Sequence, residues 1–155
     1  CWGRGKDGRI YLLDLIRGKW TAPQLKRQAI DFWNKHLAWG MPHGSSLVRM
    51  NIEDKASGTG LIQDIQAEGA IPVVAVQRDK DKLIRVMDVV SYIDSGLVFV
   101  PEDAPWVSDF TQECDAFTAD DTHMHDDQID PMVDAIADML ASGRVTNLWA
   151  KLAEN

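Results

Sequence analysis

At 155 residues the chain is sized for one compact domain, and an apolar fraction of 45% excludes intrinsic disorder and collagen-like repeats. Its longest apolar runs, such as residues 71–76, fall far short of the roughly 20 residues needed to cross a bilayer. A net charge of −8, from 24 acidic and 16 basic side chains, taken alone argues against DNA held on a broad basic face.

Two cysteines, Cys1 and Cys114, form no CxxC pair and are too few for a disulfide scaffold, which suits a reducing compartment. No signal peptide is visible. An opening Cys1 in place of Met points to a piece of a longer polypeptide.

In chain order, the N-terminal segment reads as a β-hairpin turning at Asp7-Gly8, with Ile10-Tyr11-Leu12-Leu13 as its second strand. Thr21 and Gln24 have the spacing of a capping box, and Pro23 is tolerated in a first turn. Leu25, Ala29, Phe32 and His36 then recur at helical spacing, predicting an amphipathic helix from 22 to about 38. Residues 47–53 alternate Val48, Met50 and Ile52 with Arg49, Asn51 and Glu53, the pattern of a strand.

A short helix capped by Ser57 or Thr59 and ended by Gly69 leads to an apolar run at 72–76, which completes a parallel βαβ unit. Further helices are expected over 80–95 and 106–117, with a brief strand at 97–100 between them. A polar loop follows over 118–127. The last helix runs from about 128–131 to 142 and buries Ile129, Val133, Ile136 and Leu140, and 143–155 form a tail. This order describes an α/β protein, a mixed sheet with flanking helices.

Two acidic clusters could carry chemistry. Glu53 and Asp54 lie at the carboxyl end of a strand that feeds a crossover helix, the edge at which open α/β sheets bind ligands. Side-chain alternation lets only one of them face a given site if the strand continues, and the competing reading is a pair of solvated loop acids.

The second cluster, 120–127, contains His125, Asp126 and Asp127. On a continuous helix Asp126 falls on the apolar face, where a carboxylate is costly unless paired or bound to metal. A helix starting at Asp130-Pro131 would instead leave both acids in a loop. Asp130, Asp134 and Asp138, spaced by four, read as a solvated face.

With no HExxH and no thiolate set, Mg²⁺ or Mn²⁺ is the better guess than zinc. The two clusters together match nucleases that hold two ions about 3.5–4 Å apart. The glycine-rich run 3–8 lacks the form of a phosphate-binding loop, and no serine sits in a GxSxG elbow. The six tryptophans are better read as core than as base-stacking platforms, and Lys80, Lys82 and Arg85 as a solvated helix start that could touch phosphate.

Four segments in this order resemble the C-terminal nuclease domain of the large terminase subunit of tailed phages and prophages. They are Arg9 to Trp20, Ile52-Glu53-Asp54-Lys55-Ala56-Ser57-Gly58, Asp79-Lys80-Asp81-Lys82 and His125-Asp126-Asp127-Gln128-Ile129-Asp130. The resemblance covers the chain to about residue 140. It implies a ribonuclease-H-like fold and an endonuclease that cuts concatemeric viral DNA during packaging with Mg²⁺ or Mn²⁺.

For this chain it implies Glu53, Asp126 and Asp127 as catalytic acids, with Asp54 as a further metal ligand. Lys55, Lys82, Arg85 and His125 would be DNA-side residues. It places the family's first catalytic aspartate on a strand upstream of Cys1-Trp2-Gly3, so that Asp14 is not its equivalent. The isolated chain would then cut slowly or not at all. The implied partners are double-stranded DNA, an ATPase domain in the same parent chain, the small terminase subunit and the portal protein, in the host cytoplasm and away from membranes. The rival readings are another ribonuclease-H-like nuclease of transposase or resolvase type, and a non-catalytic docking remnant.

Overall fold

A computed structural model describes residues 1–117 and 127–141. They form strands β1 (Trp2–Arg4), β2 (Ile10–Leu12), β3 (Met50–Glu53), β4 (Val73–Val76) and β5 (Val98–Phe99). The helices are α1 (Ala22–Gly40), α2 (Ser57–Glu68), α3 (Lys82–Asp94), α4 (Val107–Ala116) and α5 (Ile129–Ile136), the last continuing as a π-helical turn over Ala137–Ala141. The fold is mixed α/β, and the chain divides into two compact units, Arg17–Asp79 and the remainder, each with its own core.

In the unit built from both ends of the chain, β2 pairs antiparallel with β1 and parallel with β5. Strand alternation sorts its side chains: Ile10 and Leu12 are buried, while Tyr11, on the other face, stacks on Phe99 at 5.3 Å. Ile129, Val133, Ile136 and Leu140 complete this core, so the predicted stripe of the last helix is the one observed. Full burial of each such side chain contributes about 1.5–3 kcal/mol.

The hairpin does not turn on Asp7-Gly8. Gly8 N donates to Gly5 O at 3.0 Å, which centres the turn on Lys6-Asp7. Gly8 takes the left-handed position after it (φ +80°), the role that a glycine without Cβ strain fills in three-residue hairpin loops. Asp7 Oδ1 accepts from Arg9 N, and Tyr11 Oη donates to Asp7 Oδ2 at 2.6 Å, a bond that holds the Asp7 carboxyl below its ordinary range.

In the unit Arg17–Asp79, β3 and β4 are parallel and in register from Met50↔Val73 to Glu53↔Val76, as the βαβ pattern predicts. Helices α1 and α2 supply Ala29, Ile30, Trp33, Leu37, Leu61 and Ile65 to a cluster that includes Met50, Ile52 and Val73. The buried aromatic of α1 is Trp33; Phe32 leans edge-on against His36, 4.7 Å away. The predicted stripe was therefore displaced by one residue around the helix. Thr21 N and Oγ1 both donate to Gln24 Oε1, at 2.9 and 3.0 Å, which secures the helix start as the capping-box spacing implied.

Candidate active site

Strand β3 ends at Glu53. Met50 and Ile52 face the core of their unit, so by alternation Asn51 and Glu53 project from the opposite face. Asp54 N donates to Val76 O at 2.9 Å, carrying the ladder one residue further. The chain then reverses sharply. Gly58 N donates to Lys55 O at 3.0 Å, and Ala56 sits at φ 52°, ψ −120°. These angles belong to the first central residue of a type II′ turn, a position that favours glycine. An alanine there carries roughly 1–3 kcal/mol of backbone strain.

Gly58 follows because a Cβ at that position would collide with the carbonyl oxygen of Glu53. The turn is thus folded hard against the end of β3. Neither Ser57 nor Thr59 caps α2: Ala56 occupies the capping position without a side-chain bond, and Thr59 Oγ1 donates to Asp54 Oδ1 at 2.7 Å. The two adjacent acids consequently have different partners. Asp54 is bonded within its own loop, while Glu53 Oε2 meets Arg78 Nη1 at 2.5 Å.

Arg78 lies two residues beyond Val76, the register partner of Glu53 and the last residue of β4. The Glu53 side chain is 40% exposed and that of Arg78 13%. Glu53 thus offers a carboxylate at a strand end, partly open to solvent and paired with a guanidinium. Lys55, next in the turn, is exposed. Among the described residues no three His, Cys, Asp or Glu side chains converge into a metal-binding group.

The later cluster belongs to the other unit. Asp126 and His125 lie outside the described residues. Asp127 is exposed and stands in a turn before α5, whose first residue is Ile129, so a helical-face argument does not extend to it. Sequence reasoning missed what anchors this entry. Glu113 of α4 is buried, and its two carboxylate oxygens accept from Gln128 N at 2.6 Å and from Gln128 Nε2 at 2.7 Å. Both acceptor and donors are withdrawn from water, so the brace fixes the backbone immediately after Asp127.

Burial in the same region pushes the Cys114 thiol up to about 11, with Glu113 and Asp115 adding to the effect. Lys82 and Arg85, expected on the DNA side, are engaged with α5: Lys82 Nζ lies 3.2 Å from Asp130 Oδ2 and Arg85 Nη2 2.6 Å from Asp130 Oδ1. Arg85 Nη1 also lies 3.8 Å from Asp134. The expectation that Asp130 and Asp134 form a solvated face is therefore corrected. With side chains 16% and 20% exposed, they neutralise the cations of α3 instead.

No helix among the described residues is long and apolar enough to cross a membrane. No curated protein and no solved structure gives a significant match to the sequence. The family model of the terminase RNase H-like domain matches residues 6–139, a span that takes in Glu53, the turn after it and the entry to α5. The chain therefore belongs to the terminase RNase H-like domain family.

Proposed function

We propose that this domain is a metal-dependent endonuclease that cuts concatemeric viral DNA during genome packaging, with Glu53 as a metal-binding acid and Asp127 or Asp126 as the late acid. The observation that carries the reading is Glu53 itself: a carboxylate at the carboxyl end of a parallel strand, partly open to water, set by a strained turn and paired with a cation. Divalent ions bound by such acids supply a Lewis acid that activates water and stabilises the leaving oxygen of a phosphodiester.

In this reading Glu53 fixes the ion, and Lys55 in the adjoining turn offers its ammonium to the phosphate backbone. Asp54 shares the ion only if its bond from Thr59 is given up, which makes it the weaker ligand of the two. The metal would reverse the local sign of an acidic protein where a phosphate approaches. The remaining parts of the reading are double-stranded DNA as substrate, an ATPase domain in the same parent chain, the small terminase subunit and portal protein as partners, and the host cytoplasm as the setting.

Plasmid nicking by the full-length protein with Mn²⁺ or Mg²⁺ tests it. Glu53→Ala and the double variant Asp126→Ala/Asp127→Ala are each expected to lower the rate by about a hundredfold or more, the scale on which loss of one transition-state-stabilising group is felt. Undiminished cutting in both variants would overturn the assignment of these acids.

A further inference from the structure

We infer that a cleft between residues 18–25 and the turn that opens α2 seats one nucleotide of a nucleic-acid strand, its phosphate at Lys19 and its base or sugar against the Trp20 indole. The choice of ligand rests on the nuclease reading; the site itself needs no metal ion. It lies wholly within the unit Arg17–Asp79.

The cleft is open, measures about 560 Å³ and includes Lys19, Trp20, Gln24 and Ser57 in its lining, a size common among small-ligand sites. Its polar groups are of one kind. Lys19 Nζ, Trp20 Nε1 and Ser57 Oγ meet no partner among the described residues. Gln24 Oε1 is taken by Thr21, which leaves the amide N–H groups to offer. Ammonium, indole and amide nitrogens only donate, and no Asp or Glu lines the cleft. In a chain of net charge −8, a lining of donors without a carboxylate suits a ligand rich in acceptor oxygens, as a phosphodiester is.

Trp20, expected in the core, packs into neither hydrophobic cluster. Its indole lies over Gly18 so closely that a Cβ there would meet Cε2, Cζ2 and Nε1 at 2.6–2.9 Å. Glycine is therefore what allows the ring this place. A half-buried indole outside the core gives up apolar burial, and an aromatic ring beside a cation is how proteins hold a single strand without reading its sequence. Ser57 joins the cleft to the proposed active site, since its neighbour Gly58 is closed against the carbonyl oxygen of Glu53.

The test is binding of a short fluorescein-labelled DNA strand to the full-length, nucleotide-free protein in EDTA, read by anisotropy. Trp20→Leu is expected to weaken binding about tenfold, the scale of one stacked base. Lys19→Gln should weaken it and flatten the slope of log K against log salt by about 0.7, the share of one phosphate contact on a single strand. Gly18→Ala changes no charge, yet should match Trp20→Leu because its Cβ displaces the indole, and it serves as the probe if Trp20→Leu does not fold. The same strand carrying 5-iodouracil should, on irradiation, label the peptide that contains Trp20.

Unchanged affinity and salt dependence in these variants would overturn the cleft, as would a label confined to other peptides; plasmid nicking that still depends on Glu53 would then leave the nuclease reading standing. Strand binding lost in the cleft variants, with nicking indifferent to Glu53 and to Asp126 and Asp127, would overturn the nuclease reading and leave the cleft.

Discussion

Glu53 meets Arg78 at 2.5 Å with 40% of its side chain open to water, whereas Asp130 lies between Lys82 and Arg85, at 3.2 and 2.6 Å, with 16% open. Both are carboxylates in contact with cations. The first stands at the end of a strand beside a strained turn, in the unit Arg17–Asp79; the second stands on α5 in the other unit and joins α5 to α3. Desolvation separates their roles. A charge that keeps contact with water can change partners at small cost, while one withdrawn from water loses several kcal/mol if its partner leaves. The acid suited to holding a removable ion is thus the exposed one, and the acid suited to joining helices is the buried one.

The sharpest way to break this contrast is to remove each carboxylate and measure stability. Asp130→Ala should cost about 3 kcal/mol, because it takes the nearest carboxylate from Lys82 and Arg85 in a partly desolvated place and leaves Arg85 the more distant Asp134. Glu53→Ala should cost less, about 1–2 kcal/mol, because the carboxylate it removes is 40% exposed, although Arg78, 13% exposed, loses that contact. Urea denaturation measures both, and equal losses would erase the distinction.

Glu113 extends the buried class. Glu113→Ala leaves the Gln128 N–H and amide without their acceptors and should cost about 2 kcal/mol in the same measurement. Next in size is the turn beside Glu53. Ala56→Gly relieves a backbone conformation that L-residues resist and should raise stability by about 1 kcal/mol, after the larger chain entropy of glycine is set against the relief. A loss of stability there would show that the turn is unstrained.

The smallest effect concerns Cys114, beside Glu113. Its thiol pKa is raised to about 11 from an ordinary 9.0 by burial. The folded state therefore binds its proton more tightly than the unfolded chain does. The associated stability is fully present below pH 9.0 and is lost as pH rises toward about 11. Alkylation by iodoacetamide at pH 8 should accordingly be much slower in the folded protein than in urea, because little of the thiol is ionised. Equal rates would show that this region is wetter than its geometry implies.

Much of the unit containing Glu53 was legible in the sequence, because two local patterns agree there. Met50 and Ile52 alternate with Asn51 and Glu53, and a helix ended by Gly69 separates them from a second apolar run. That combination has few solutions besides a parallel βαβ unit, and it places Glu53 at a strand end.

Other features were settled by partners far along the chain. Phe32 and Trp33 both border the apolar stripe of α1, and only packing against Ile65 and Ile71 selects Trp33. The spacing of Asp130 and Asp134 looked solvated because nothing local announces Lys82 and Arg85. The burial of Glu113 depends on Gln128, fifteen residues away. Local pattern reports which face a residue is on. It does not report which distant group arrives there.

The most direct test of the account is a Mn²⁺ titration of the full-length protein carrying Glu53→Gln beside one carrying Asp130→Asn. The account predicts that Glu53→Gln loses Mn²⁺ affinity with the smaller drop in melting temperature, and that Asp130→Asn keeps its affinity but shows the larger drop. Retained Mn²⁺ binding in Glu53→Gln together with its loss in Asp130→Asn would contradict it.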